Sequence, residues 1–402
     1  MTITERSAPA RSGLLPHGPG FWIIAAAFLT AMAFSTVPTP IYAIYQQRDG
    51  FPTIVVTVIF AVYAVGVMLS LYLAGHVSDW LGRRRVILAA LALNLLAAIL
   101  FLAWDGLAGL LVARFVNGLG IGIITATATA HLSELGAETG RSGVRSQIVS
   151  TFANLGGLSL GALIAGVLVT TAPAPTTTPY VVFALLLAVE IVLVALVPET
   201  VEHREERPAY SPQRVAVPAA SRGAYLAAAA GAFAAFAVFG TFTGLSSTFL
   251  VGLLGEHSHL LAGAAPFIVF MAASLAQIAT VRMPIRAQMI LAIVAAVAGL
   301  ALISAGAVAA SLALFLLGGG AAGAGVGILF RSALGTAGSL AAPEKRGEAL
   351  AGIFLIGYAG MTFPPLLTAG ALTVWPIVPV LVGLSAAVAV LVVVAGSRLL
   401  RG

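Results

Sequence analysis

"GHVSDWLGRRRV", residues 75–86, sets one acid and three consecutive arginines between two apolar runs, VYAVGVMLSLYLA before it and ILAALALNLLAAILFLA after it. The rest of the chain is poor in charge. Of its 402 residues 60% are hydrophobic and only 8% are Asp, Glu, Lys or Arg. A water-soluble domain carries about a quarter charged residues. So much apolar surface needs lipid as its solvent, and the quoted stretch reads as a loop between two membrane spans.

A spanning helix takes about 20 apolar residues. Twelve such runs follow one another, at about 21–46, 53–80, 85–104, 107–132, 146–170, 180–198, 223–254, 259–281, 287–306, 310–339, 348–371 and 375–397. Turn-forming stretches such as WDG, TAPAPTTTP and GEHSH divide them. The first run is longer than the about 7–15 residues of a secretory h-region, and no clean cleavage site follows, so it reads as a retained span. The longest polar stretch, 199–222, lies at mid-chain. The expected fold is an all-α membrane protein of twelve transmembrane helices in two pseudo-symmetric six-helix halves. Its parts are a cytoplasmic tail over 1–20, a bundle over 21–198, a cytoplasmic linker over 199–222, a second bundle over 223–397 and a tail over 398–402.

The basic residues test this count. With a cytoplasmic N-terminus, 17 of them fall in inside segments and one, Arg48, outside; Arg114 and Arg331 lie within spans. Such a bias is the positive-inside pattern. It places both termini in the cytoplasm and the chain in the cell membrane. The net charge of +6 is dispersed rather than gathered in a patch, which gives no reason to expect nucleic acid as a partner. All four tryptophans, Trp22, Trp80, Trp104 and Trp375, fall at span ends. The chain has no cysteine, which excludes disulfides, thiol nucleophiles and Cys-ligated metal.

The halves echo each other at an offset near 205. GLGIGI at 118–123 matches GAGVGI at 323–328, RRRVILAAL at 83–91 matches RAQMILAIV at 286–294, and GALIAG at 161–166 matches PPLLTAG at 364–370. Six spans per half keep the repeat's orientation, which fits a transporter built from two parallel halves.

With the loop G-x-x-x-D-x-x-G-R-R at Gly75, Asp79, Gly82, Arg83 and Arg84, the chain resembles the major facilitator superfamily over nearly all its length. The resemblance implies that this loop latches the cytoplasmic side of the halves, with Asp79 paired to Arg83 and facing the start of span 11 near residues 346–348. A carboxylate is favoured at a helix N-terminus. Glu134 either completes the latch through an arginine of the 83–85 group or is a solvated helix end. Trp80 departs from the family's usual basic residue.

Arg114, in LLVARFVNGLGIGI, matches the family's span 4 pattern, with Asn117 where Gln is common. A charge there costs at least about 2.5 kcal/mol, so a cavity and a role are expected. The resemblance implies proton transfer or substrate contact; the plain alternative is snorkelling. The repeat has Gly319 in its place. Glu190, the one acid well inside a span, either exchanges a coupling proton, hydrogen-bonds a neighbouring helix or simply sits protonated. Arg331 either meets an anionic substrate or snorkels inward.

Spans 1, 4, 7 and 10 line the cavity in this family, which offers Phe34, Thr39, Tyr42, Thr125, Thr127, Phe239, Phe242, Thr243 and Phe330 as lining. Pro38 and Pro40 break span 1. Such a lining suits an apolar or weakly polar solute. GGLSLGALIAG at 156–166 keeps the glycine spacing of the family's drug/proton antiporters but has Ala162 where they carry Pro. PET at 198–200 is shared by several branches and decides nothing.

These readings converge on a secondary transporter, a monomer in the bilayer, that exports a small and mainly hydrophobic solute against protons. No cofactor or metal is expected, only a proton gradient. An importer of a sugar or organic acid and a non-transporting membrane sensor are the rival readings. No span carries a nucleophile–base pair, and no Walker motif is present, so neither an enzyme nor ATP drive is expected.

Overall fold

The computed structural model describes residues 14–75, 77–201, 221–341 and 346–401, the side chain of residue 346 excepted. Arg6, Arg11, Arg204, Arg207, Arg214 and Lys345, with most of the expected N-terminal tail and linker, lie outside the described residues. Among these residues twelve helical segments are long and apolar enough to cross a membrane. Lipid offers no hydrogen bonds, so each spanning segment must satisfy its own backbone, and the helix does so.

The first half runs α1 (His17–Thr36), a 3-10 turn (Thr39–Ile41), α2 (Tyr42–Asp49), α3 (Thr53–Ala74), the one-turn α4 (Ser78–Leu81), α5 (Arg83–Ala103), α6 (Leu107–Glu138), α7 (Gly143–Thr151), a π-helical turn (Phe152–Gly156), α8 (Gly157–Thr171) and α9 (Thr178–Ala195). The second half runs α10 (Arg222–Leu254), α11 (His259–Ala279), α12 (Ile285–Val308), α13 (Leu312–Leu340), α14 (Arg346–Ala371) and α15 (Ile377–Arg401). Span 1 is thus α1, the 3-10 turn and α2 together, broken where Pro38 and Pro40 withhold two backbone donors. Span 5 is α7, the π turn and α8.

The glycines of the repeat do the same work in both halves. A Cβ on Gly118 would lie 3.1 Å from the Gly66 Cα of α3, and one on Gly323 would lie 3.0 Å from the Val269 Cα of α11. On Gly122 it would strike Ser70 of α3; on Gly327, Ala273 of α11. On Gly120 it would lie 2.9 Å from the Ala90 carbonyl of α5, and on Gly325 2.6 Å from the Ala292 carbonyl of α12. Small residues let backbones approach where no hydrophobic force drives helices together.

The halves meet where α3 packs on α14 and α8 on α11, and where the 3-10 turn and α2 touch α10. Along the α8–α11 seam a Cβ on Gly263 would lie 3.1 Å from the Gly166 Cα, and the Ser159 hydroxyl donates to the Phe267 carbonyl at 2.8 Å. α5, α9, α12 and α15 pack mainly within their own halves. They present Leu185, Val192, Val294 and Val390 outward, as a lipid-facing surface requires.

Gly120→Ala and Gly325→Ala should each cost about 1–3 kcal/mol, because the added methyl has no room. Gly335→Ala, in a helix with open space around its Cβ, should be neutral or stabilising by up to about 1 kcal/mol. Thermal unfolding in detergent checks this; equal effects at all three positions would contradict the packing account.

Candidate functional site

Two polar constellations stand out, one at the end of the first half where α5 begins and one deep in its middle. At the end, α4 stops at Gly82, whose φ of 100° lies in the region that favours glycine. A Cβ there would also come within 2.5 Å of a Glu199 carboxylate oxygen. α5 starts at the next residue, and Glu199 caps it. Its Oε1 accepts from the Arg83 backbone N–H at 2.8 Å and its Oε2 from that of Arg84 at 3.2 Å. A carboxylate at a helix N-terminus satisfies donors the helix cannot and faces its positive dipole end.

Arg83 then gathers three elements. Its guanidinium pairs with Asp79 of α4 at 2.5 Å and with Glu134 of α6 at 3.0 Å, and donates to the Ser78 hydroxyl at 2.7 Å. Thr200 donates to Glu134, and Arg84 donates to the Val197 carbonyl at 3.0 Å. His131, wholly buried on α6, holds its Nε2 at 3.2 Å from the Pro198 carbonyl. The Asp79–Arg83 and Glu134–Arg83 pairs therefore exist, and Gly75 leads into the loop at the C-cap of α3. Asp79 itself is 60% exposed, so its pair contributes well under about 1 kcal/mol. Span 11 starts at Arg346 as α14, and among the described residues the ion-pair partner of Asp79 is Arg83 rather than this helix start; 342–345 and the Arg346 side chain lie outside the described residues. The capping role of Glu199 carries no signal in PET, because the helix it caps lies 116 residues away in the chain.

The deeper constellation centres on Arg114, which is 1% exposed. Its Nη1 donates to the Ser35 carbonyl at 2.8 Å and to Asn117 Oδ1 at 3.2 Å. The guanidinium lies 4.3 Å from the ring centre of Tyr63 and 5.8 Å from that of Phe60. Asn117 donates to Asn94 of α5 at 2.7 Å, and Asn94 to the Ala90 carbonyl at 2.9 Å. The arginine does not snorkel. At the repeat offset of 205, Arg114, Asn117 and Asn94 correspond to Gly319, Ala322 and Gly299. There Gly299 packs directly on Ala322, and the Phe242 ring occupies the space beside Gly319, 2.9 Å from where a Cβ would sit.

Arg331 is engaged within its own half. Its Nη1 donates to the Gln277 carbonyl at 2.8 Å and its Nη2 to the Val281 carbonyl at 3.3 Å, closing the end of α11. Glu190 is 9% exposed on α9; its carboxyl lies against Thr30 of α1, and its Oε2 has no partner among the described residues.

The expected pocket lining is redistributed. Phe34 does not face the gap between the halves: its ring packs on Phe101 and Phe183 of the peripheral α5 and α9, at 6.3 and 6.2 Å between centres. Asn117 turns toward Asn94 for the same reason, that α5 lies behind α6. Phe239 stacks on Phe270 at 4.8 Å, Phe242 lies 5.3 Å from Phe315, and Phe330 meets Phe236 edge-on at 5.0 Å. Thr39 and Tyr42 are buried where the broken span 1 reaches α10 and α11. Thr125, Thr127 and Thr243 donate their hydroxyls to carbonyls one turn back in their own helices. Among the described residues no group of three or more His, Asp or Glu could hold a metal ion.

Glu199→Ala should cost about 1–2 kcal/mol through the lost cap. Asp79→Asn should cost clearly less, because Asp79 stands in solvent. Thermal unfolding of the two variants compares them; an equal or reversed order would contradict the capping role.

A model of the Major Facilitator Superfamily matches residues 23–363. No significant match is found among curated protein sequences. The fold is similar to the crystal structure of the human organic anion transporter MFSD10 (TETRAN), with a TM-score of 0.71 at 18% identity over 96% of this chain and 100% of that one. It is also similar to a variant of the nucleoside transporter NupG, with a TM-score of 0.69 at 12% identity over 95% and 99%. At these identities the likeness is one of fold, whereas the family match spans most of the sequence. The chain is a member of the major facilitator superfamily of secondary transporters.

Proposed function

We propose that the protein exports a small, mainly apolar organic compound in exchange for protons, by alternating access across the cell membrane. The end carrying Arg83 faces the cytoplasm in this reading, as do both termini, since 17 of the 20 basic residues belong to that side. The observation that carries the proton is Glu190. It is an acid buried among apolar helices, with one carboxylate oxygen unpartnered among the described residues. An intramembrane acid is costly and is kept where it serves a proton or a substrate.

Alternating access needs two stiff halves and contacts between them that can be exchanged. Glycine packing supplies the stiffness. The α8–α11 seam is a contact of small residues at the opposite end from Arg83, and among the described residues no ion pair joins the halves. Asp79, with 60% of its side chain exposed, would meet span 11 when the cytoplasmic face closes. In this reading Arg114, buried beside α1 and α3, contacts the solute.

The test uses inverted membrane vesicles with an acid interior and a pH-sensitive dye. Lipophilic cations, neutral drugs, sugars and organic acids are added one at a time. The expected result is proton release by one class, only when the protein is present. Glu190→Gln should abolish that release, and Asp79→Asn should slow it about tenfold, equivalent to roughly 1.4 kcal/mol in the barrier. Proton release at the unaltered rate in Glu190→Gln would remove the acid from the mechanism.

A further inference from the structure

We infer that Arg114 is the docking point for a negatively charged group of the transported solute, so that the cargo is an amphiphilic organic anion with a carboxylate as its best-fitting headgroup. This deepens the transport reading and rests on it. Arg114 is a buried cation without a counter-ion: no carboxylate of the described residues lies within ion-pair distance of it. Glu190, a buried acid of the first half, lies against Thr30 instead. A charge held in an apolar interior is tolerated when it is paired, and here the protein supplies only neutral partners.

Those partners gather on one nitrogen. The acceptors offered to the guanidinium, the Ser35 carbonyl and Asn117 Oδ1, both bond Nη1. Nε is buried and without a partner. Nε and Nη2 form the side-on fork of an arginine, two parallel N–H directions that match the two oxygens of a carboxylate. Nη1, the third nitrogen, is the one already engaged, which fixes the plane of the fork. Tyr63 and Phe60 hold the flat faces of the same group.

A second observation points the same way. The Tyr42 hydroxyl, at the start of α2 just after the broken segment of span 1, is also buried and unpartnered. It lies within electrostatic range of Arg114. A hydroxyl that donates to an anion already held by an arginine would satisfy both orphaned groups at once. Beside the polar groups already engaged, the guanidinium meets the Tyr63 and Phe60 rings, so the remainder of the solute would be apolar. Arg331 is not a second such point, because helix-end carbonyls already receive its donors.

The experiment uses the full chain in lipid nanodiscs with no proton gradient. Binding of 2-naphthoate, 2-naphthamide and 2-naphthylmethylamine is read by thermal shift and by equilibrium dialysis. These three probes share one ring system and differ in headgroup charge. Naphthoate should bind at least about 10-fold more tightly than the amide, the scale of a hydrogen bond to a charged group, and the amine should not bind. Arg114→Lys keeps the charge but loses the fork and should weaken naphthoate about 10-fold. Tyr42→Phe, which removes one hydroxyl, should weaken it severalfold and leave the weak amide binding unchanged. Should the amide or the amine bind as well as naphthoate, should naphthoate not bind, or should Arg114→Lys bind it unaltered, the inference is overturned. Because no gradient is present, such a failure leaves proton-coupled transport standing. Binding as expected without any proton release in acid-loaded vesicles would instead remove the proton-exchange reading.

Discussion

Every backbone N–H and C=O in a lipid-facing segment must find its partner within that segment, and the rest of this structure follows from that constraint. It makes the chain a set of helices before any side chain is considered. It also removes the hydrophobic force that would press those helices together, so close backbone contact has to come from small residues. GLGIGI and GAGVGI supply it at matching places. Gly118, Gly120 and Gly122 fit α6 between α3 and α5, and Gly323, Gly325 and Gly327 fit α13 between α11 and α12. Two rigid halves with one architecture result.

What differs between the halves is where charge is admitted. The first half replaces small-residue contacts by a polar chain, Arg114 to Asn117 to Asn94, that runs from the centre outward into α5. The second half keeps Gly299 against Ala322 at the same places and lets Phe242 fill the space beside Gly319. The same division holds at the Arg83 end. The arginines that raise the question in residues 75–86 are held by Asp79, Glu134 and Glu199, all from the first half or the segment just after it. Arg83 therefore does more than mark topology: it fixes the loop, α6 and the exit from α9 as one unit.

The spans were legible because hydropathy is a long-range average that no single contact can overturn. The break in span 1 was legible because Pro38 and Pro40 act locally. The pairing of Arg83 with Asp79 and Glu134 was legible through opposite charges at one end of the bundle. Other features depend on information that an apolar sequence does not carry. The π-helical turn at Phe152–Gly156 is a shift of backbone register within a run of residues that any helix would accept. Phe34 turns toward α5 and α9 rather than the cavity, and because span 1 is apolar all round no sequence pattern marks that side. Glu199 lies 116 residues from the helix it caps, and only the fold brings them together.

Two stiff halves that exchange contacts at their two ends form the central claim, and distances across the halves test it most directly. The chain has no cysteine, so spin labels can be placed at will. One pair at Arg145 and Arg282 reports on the Arg83 end, and one at Thr171 and His257 reports on the opposite end. Pulsed electron resonance in nanodiscs, at acid and alkaline pH, should give two distances for each pair. As one pair shortens, the other should lengthen. A single unchanging distance at both ends, or both pairs moving in the same sense, would contradict the account.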